Sequence, residues 1–170
     1  RMANMIKNLQ SFYKPSDETF TNNFMSQLLD DVLLISGKAA RNKGIEFKKN
    51  YKSDEYSFEG IEDQIKQVLL NILQNSIDSI SAGGEIVLNI AKNSKEIILE
   101  IQDTGSGIRA EDKKFIFDPF FSTKGKLGTG LGLSVSYGII KKHGGDISID
   151  SELNIGSTIT LVLPRKRKKI

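Results

Sequence analysis

Cysteine is absent from the 170 residues. The chain can therefore form no disulfide and offers no thiolate nucleophile or thiolate metal site, which fits a cytoplasmic setting. No apolar run approaches the roughly 18 residues of a membrane-spanning helix, and no secretory signal is visible. Position 1 is Arg rather than Met, which reads as a start inside a longer protein, one that could itself be a membrane-anchored sensor. Histidine occurs once, as His143. There is no G-x-x-x-x-G-K-[ST] run, so a P-loop is excluded, and no repeat or low-complexity segment. Net basic charge is confined to the C-terminus. Net charge is +3, but the run Arg165–Lys169 carries five positive charges and leaves the rest at −2. Such a terminal run reads as a solvated tail, with no nucleic-acid partner.

What is present is glycine in two clusters. DTGSGI spans Asp103 to Ile108 and GTGLGL spans Gly128 to Leu133, with a polar, Phe-punctuated stretch between them. Glycine suits places where backbone must come close to something else. The second cluster runs into a helical pattern from Leu131 to Lys142. A helix start offers free N–H groups and the positive end of the helix dipole to an anion. The pattern points to a phosphate site under a mobile loop, Arg109 to Lys126. GTGLGL is not a dinucleotide fingerprint, because its spacing is G-x-G-x-G and no strand leads directly into it.

Periodicity supplies the frame. Residues 1–13 read as a short amphipathic helix ending before Pro15, and Thr19–Asn23 as an edge strand. Met25–Lys43 reads as a helix with Leu28, Leu29, Val32, Ile35 and Ala39 inward and Gly44 as its stop. Ile45–Tyr51 and the Tyr56–Phe58 region read as strands, and Ile61–Ile80 as a long helix stopped by Gly83-Gly84. Strands follow at Glu85–Lys92 and Glu96–Gln102. His143-Gly144-Gly145 closes the next helix, and Asp146–Ser151 with Ser157–Leu163 forms a hairpin. The expected fold is a two-layer α/β sandwich with a mostly antiparallel sheet.

Two kinds of side chain carry chemistry. Asn71 and Asn75 lie one helical turn apart, on one face with Gln64, Gln67 and Asp78 and opposite Val68, Leu69, Ile72, Leu73 and Ile80. Periodicity alone reads that face as solvated; the functional reading is a Mg²⁺ site, since this cation accepts neutral oxygens and completes its shell with water and phosphate. Asp103 follows a strand. It either caps the turn before Gly105 or accepts from the exocyclic amine of adenine, where guanine would present an opposing acceptor.

The order NILQN, DTGSGI, DPFFSTK, GTGLGL, HGG and a final hairpin with GST resembles the catalytic and ATP-binding domain of sensor histidine kinases. That domain is part of the wider GHKL, or Bergerat-fold, superfamily. The resemblance spans about residues 18–164. It implies a Bergerat fold with helices on one sheet face and a flexible ATP lid, ATP and Mg²⁺ as cofactors, and three segments. Residues 1–14 are then the end of a dimerisation and phosphoacceptor helix, 15–164 the catalytic domain, and 165–170 a basic tail. It implies that Asn71, Asn75 and Asp78 form the N-box face, with Asn75 the Mg²⁺ ligand and Asn71 and Asn75 the catalytic pair. Asp103 would bind adenine, with Gly105, Gly107 and Ile108 at the pocket wall. Phe117, Pro119, Phe120 and Phe121 would anchor the lid. Lys124, Gly128, Thr129, Gly130, Leu131, Gly132 and Leu133 would meet phosphates, and Thr158 the adenine pocket. Asp78 departs from the Lys or Arg of many relatives; with DPFFSTK it resembles the nitrogen-regulation and sporulation-type kinases.

The ATPases of the superfamily carry a water-activating Glu where this chain has Asn71, and an amide cannot take up a proton in that way. Transfer to a group supplied elsewhere is therefore expected. His143 reads as a helix-end residue in contact with the dipole rather than as that acceptor. The implied partners are an upstream phosphoacceptor domain and a response regulator, in a homodimeric parent. The alternative is an anti-sigma-type serine kinase of the same superfamily.

Overall fold

A computed structural model of the protein describes residues 19–52, 55–123 and 128–167. The readings of residues 1–14, of Lys124 and of the tail beyond Arg167 lie outside the described residues. Alternating apolar residues build a five-stranded sheet and helical stripes cover one of its faces. In chain order the elements are β1 (Thr21–Phe24), α1 (Met25–Asn42), β2 (Ile45–Asn50), β3 (Ser57–Gly60), α2 (Glu62–Ser79), β4 (Gly84–Lys92), β5 (Glu96–Asp103), α3 (Gly132–Lys142), β6 (Asp146–Glu152) and β7 (Gly156–Pro164). The sheet runs β2-β4-β5-β7-β6, and β1 pairs with β3 in a separate antiparallel ribbon. Only β2 and β4 are parallel; the other pairings of the main sheet are antiparallel. This is the expected two-layer sandwich.

The core lies between the layers. Ile86 and Leu88 of β4, Ile97, Leu99 and Ile101 of β5, and Ile159, Leu161 and Leu163 of β7 all point the same way and are buried. They meet Ile65, Val68, Leu69, Ile72, Leu73 and Ile77 of α2, which packs between α1 and α3. Most of a helix's stability in a protein comes from packing its apolar face, and this apolar seam supplies it here.

Three expectations change. Ile35 is 67% exposed, while Leu33 and Ser36 are buried instead. At 100° per residue Ile35 lies about 110° round α1 from the middle of the buried arc, just past its edge. The end of α2 is set before Gly83-Gly84: Ile80 is already extended. The Lys43 ammonium takes the carbonyls of Ile77 and Ile80 at 2.8 and 2.9 Å, a cationic cap from another helix end. The basic C-terminal run does not begin as a free tail. Arg165 receives a hydrogen bond from Glu59 N and donates its own N–H to Lys95 O, tying the β1–β3 ribbon to the main sheet.

His143 is also more than a charge at a helix end. It is 3% exposed. Its Nε2 accepts from the Ile61 N–H at 3.0 Å, and its Nδ1 lies 2.7 Å from the Ile139 carbonyl. An acceptor Nε2 with a donor Nδ1–H defines one neutral tautomer. Burial holds the imidazole below its ordinary range. The Ile139 bond works against that shift, and Lys142 and Arg167 add to it. The dipole contact is therefore a neutral hydrogen bond joining the end of α3 to the start of α2.

Candidate functional site

The outward face of α2 is not a solvent face. Asn71 is half-buried under α3, donating from Nδ2 to Gly132 O at 3.2 Å and to Ser136 Oγ at 3.3 Å. Ser136 Oγ itself donates to Gly132 O at 2.9 Å. A carbonyl can only accept, so the amide nitrogen faces α3 and Oδ1 is the end left over. Asn75 follows one turn along the same face, half-buried, and Asp78 lies exposed at its rim with Gln74 Nε2 donating to its Oδ1 at 2.7 Å.

β5 delivers Asp103 to the other side. Its carboxylate is 5% exposed, and Oδ1 accepts from Gly105 N at 2.9 Å and from Ser79 Oγ at 3.2 Å. The turn-capping role is thus real and coexists with a position in the cleft. The glycines after it are required by close backbone approach. Gly107 has φ +66°, and a Cβ there would fall 2.0 Å from Glu152 O. The second cluster behaves likewise: Gly130 has φ +67°, and a Cβ would fall 2.3 Å from the carbonyl carbon of Phe120.

Between these elements lies a cavity of about 620 Å³, a size suited to a nucleotide-scale ligand. Of the expected residues, Asn71, Asn75, Asp78, Asp103, Gly107, Ile108, Gly128, Thr129, Gly130, Gly132 and Leu133 line it. Gly105 is buried behind Asp103, and Leu131 caps the start of α3. Phe117 packs on the core beside Tyr137, with ring centroids 5.5 Å apart, and does not line the cavity.

Two readings are corrected. Thr158 faces away from the cavity, beside Gln102 and Asp150, while its neighbours Ser157 and Ile159 line it. Strand side chains alternate, so a one-residue error moves a side chain to the other face. Phe120 does not anchor the loop: it is 72% exposed, with φ 68°. Its contribution is its backbone, whose N–H donates to Gly130 O at 2.9 Å. Ile116, 5% exposed, and Asp112, bound by Arg109 Nε at 2.7 Å, hold the loop instead.

The lining residues not singled out from sequence are mainly Ser76, Ser79, Ile116, Ile149, Ser157 and Ile159. Ser79 continues the i+4 series from Asn71 and Asn75, a signal that was available. Ser157 sits opposite Asp103 in the β5–β7 register, which only strand pairing reveals. With Ile108, Phe121 and Leu133, the isoleucines add an apolar part to a lining otherwise made of amides, hydroxyls, carboxylates and glycines.

Residues 60–167 match the family described as histidine kinase-, DNA gyrase B-, and HSP90-like ATPase. The chain belongs to this family. Sporulation kinase C of Bacillus subtilis (strain 168) is 35% identical over 98% of this chain and 39% of its own length. Signal transduction histidine-protein kinase AtoS of Escherichia coli (strain K12) is 35% identical over 94% of this chain and 26% of its own. The chain thus spans well under half of these relatives. Among solved structures, the nucleotide-free catalytic domain of histidine kinase ThkA superposes with TM-score 0.79 at 31% identity, over 86% of this chain and 98% of that one. Histidine kinase ThkA in complex with response regulator protein TrrA gives TM-score 0.81 at 26% identity, over all of this chain and 49% of that one. The fold is that of histidine-kinase catalytic domains.

Proposed function

We propose that the cleft binds Mg-ATP and that, in its longer protein, the domain transfers the γ-phosphoryl group to a histidine on an upstream dimerisation domain. The carrying observation is what one cleft brings together. A buried carboxylate can receive an exocyclic amine, and the same lining holds the amide face of α2, whose Asn71 is bonded to the glycine-rich start of α3. The relatives being sensor and sporulation kinases favours this reading over the anti-sigma-type alternative.

The donor set fits a magnesium ion brought in with the nucleotide. Among the described residues no group of three or more acidic, His or Cys side chains could hold a metal alone. Asn75, with the Oδ1 of Asn71, would supply neutral oxygens, and phosphate oxygens would complete the shell. Bound there, the cation would neutralise charge on the phosphates. Asn71 holds α3, and with it Gly132, against α2 and so shapes the phosphate site. It has no means of activating water, which favours transfer over hydrolysis. Lys124, the lid cation, would meet phosphates.

The upstream acceptor domain, the response regulator and the homodimeric parent remain part of the same proposal, in a cytoplasmic setting. No helix of the described residues is long and apolar enough to cross a membrane. The test is transfer in trans. Incubated with Mg²⁺ and labelled ATP, the chain should gain almost no acid-labile phosphate and hydrolyse ATP slowly. Adding a fragment that carries the acceptor helix pair should place the label on that fragment, at a low rate because the domains are untethered. His143→Gln, which removes the imidazole but keeps a side-chain acceptor for the Ile61 N–H, should not reduce that labelling. Stable label on His143, brisk hydrolysis, or label on serine of an added substrate would each overturn the assignment.

A further inference from the structure

Ser79 ends α2 at the edge of the cleft and lines it. We infer that Ser79 is a positioning residue for base recognition, its hydroxyl holding one oxygen of Asp103 so that the other faces the exocyclic amine; this rests on the adenine reading above. Oδ1 of Asp103 is engaged twice, by Gly105 N at 2.9 Å and by Ser79 Oγ at 3.2 Å. Among the described residues no donor reaches Oδ2. A carboxylate oxygen has two acceptor sites, so Oδ1 is saturated and Oδ2 keeps its full capacity for a ligand N–H.

The packing around this contact supports a dedicated arrangement. Gly105 has no left-handed φ to explain it. Its need for glycine is spatial: a Cβ would fall 1.9 Å from Ser79 Oγ and 2.8 Å from Asp103 Oδ1. Ser106 N also donates to Ser79 O at 3.0 Å, so backbone and side chain of Ser79 both clamp the loop after β5. The Ser79 hydroxyl has a single proton and a second acceptor, Ser76 O at 2.8 Å. The carboxylate carries the charge, so the bond to Asp103 is the charge-assisted one. Without that bond the carboxylate is held at one point and can turn Oδ2 away from the base.

The experiment measures the binding of Mg-ATP and of purine riboside triphosphate, which lacks the 6-amino group, by calorimetry. It compares the native chain with Ser79→Ala, Asp103→Asn and the double variant. The native chain should prefer ATP by about tenfold or more, as a charge-assisted bond provides. Ser79→Ala should weaken ATP about fivefold and change purine riboside triphosphate less than about twofold. With Asp103→Asn in place, Ser79→Ala should have no further effect on ATP, since the two act through one bond. Equal weakening of both nucleotides, additive effects in the double variant, or unchanged ATP binding by Ser79→Ala would overturn the inference alone. Equal binding of both nucleotides by the native chain would overturn the adenine reading beneath it.

Discussion

Asp103 and Asn75 both line the cleft, one from β5 and one from α2, and their substitutions should fail differently. Asp103→Asn replaces an acceptor by a group that also donates. ATP affinity should fall by roughly 2 kcal/mol, and discrimination against GTP should shrink with it, as titrations of both nucleotides would show. Equal native affinity for ATP and GTP would refute the base assignment. Asn75→Ala should abolish the calorimetric signal of Mg-ATP while leaving the melting temperature of the free protein within about 2 °C, because Asn75 is off the apolar stripe of α2. Retained Mg-ATP binding would remove it from the metal site.

At the scale of elements, the loop from Arg109 onward is where expectation and structure differ most. Three phenylalanines promised an anchor, but Phe120 points outward and Ile116 points in. Ile116→Ala should therefore raise hydrogen exchange across residues 109–123 and weaken nucleotide binding, whereas Phe120→Ala should leave exchange in the free protein unchanged. In the native chain, exchange there should slow on adding ADP. Equal protection with and without ADP would show a rigid loop and not a lid. The α2 terminus makes a related point. Its last carbonyls are capped by Lys43, so Lys43→Met should cost about 1–2 kcal/mol in urea unfolding, as loss of hydrogen bonds from a charged donor does.

Across the whole molecule, His143 links the start of α2 to the end of α3, two helices that line the cleft. The charged groups bearing on it are Lys142 and Arg167, both cationic, and the Ile139 carbonyl offsets its desolvation only in part. Its folded-state pKa lies below the unfolded value of about 6.5. The neutral form is thus the one the fold favours. The stabilisation is present in full above the unfolded pKa and is lost as pH falls through it towards the folded value. Melting temperature should be flat from pH 8 to about 7 and decline below about 6. His143→Gln should flatten that decline. An unchanged slope in this variant would place the acid sensitivity elsewhere.

Much of this architecture is legible in the chain by itself. Element types and order, the polar face of α2, the carboxylate at the end of β5 and both glycine clusters follow from short-range patterns. Periodicity reports which side chains share a face, and glycine reports where backbone must bend or approach. What those patterns cannot carry is the meeting of distant segments. Asn71 reads as solvated until Gly132 is laid across it, and Lys43 reads only as the last residue of a helix until the end of α2 arrives beside it. Ser157 rather than Thr158 faces the cleft because pairing with β5 sets the register. Ile116 displaces Phe120 because packing, not hydrophobicity, decides which side chain turns inward. Each of these is a contact between residues far apart in sequence, chosen by the free energy of burial over the whole molecule, and so decided only in the folded structure.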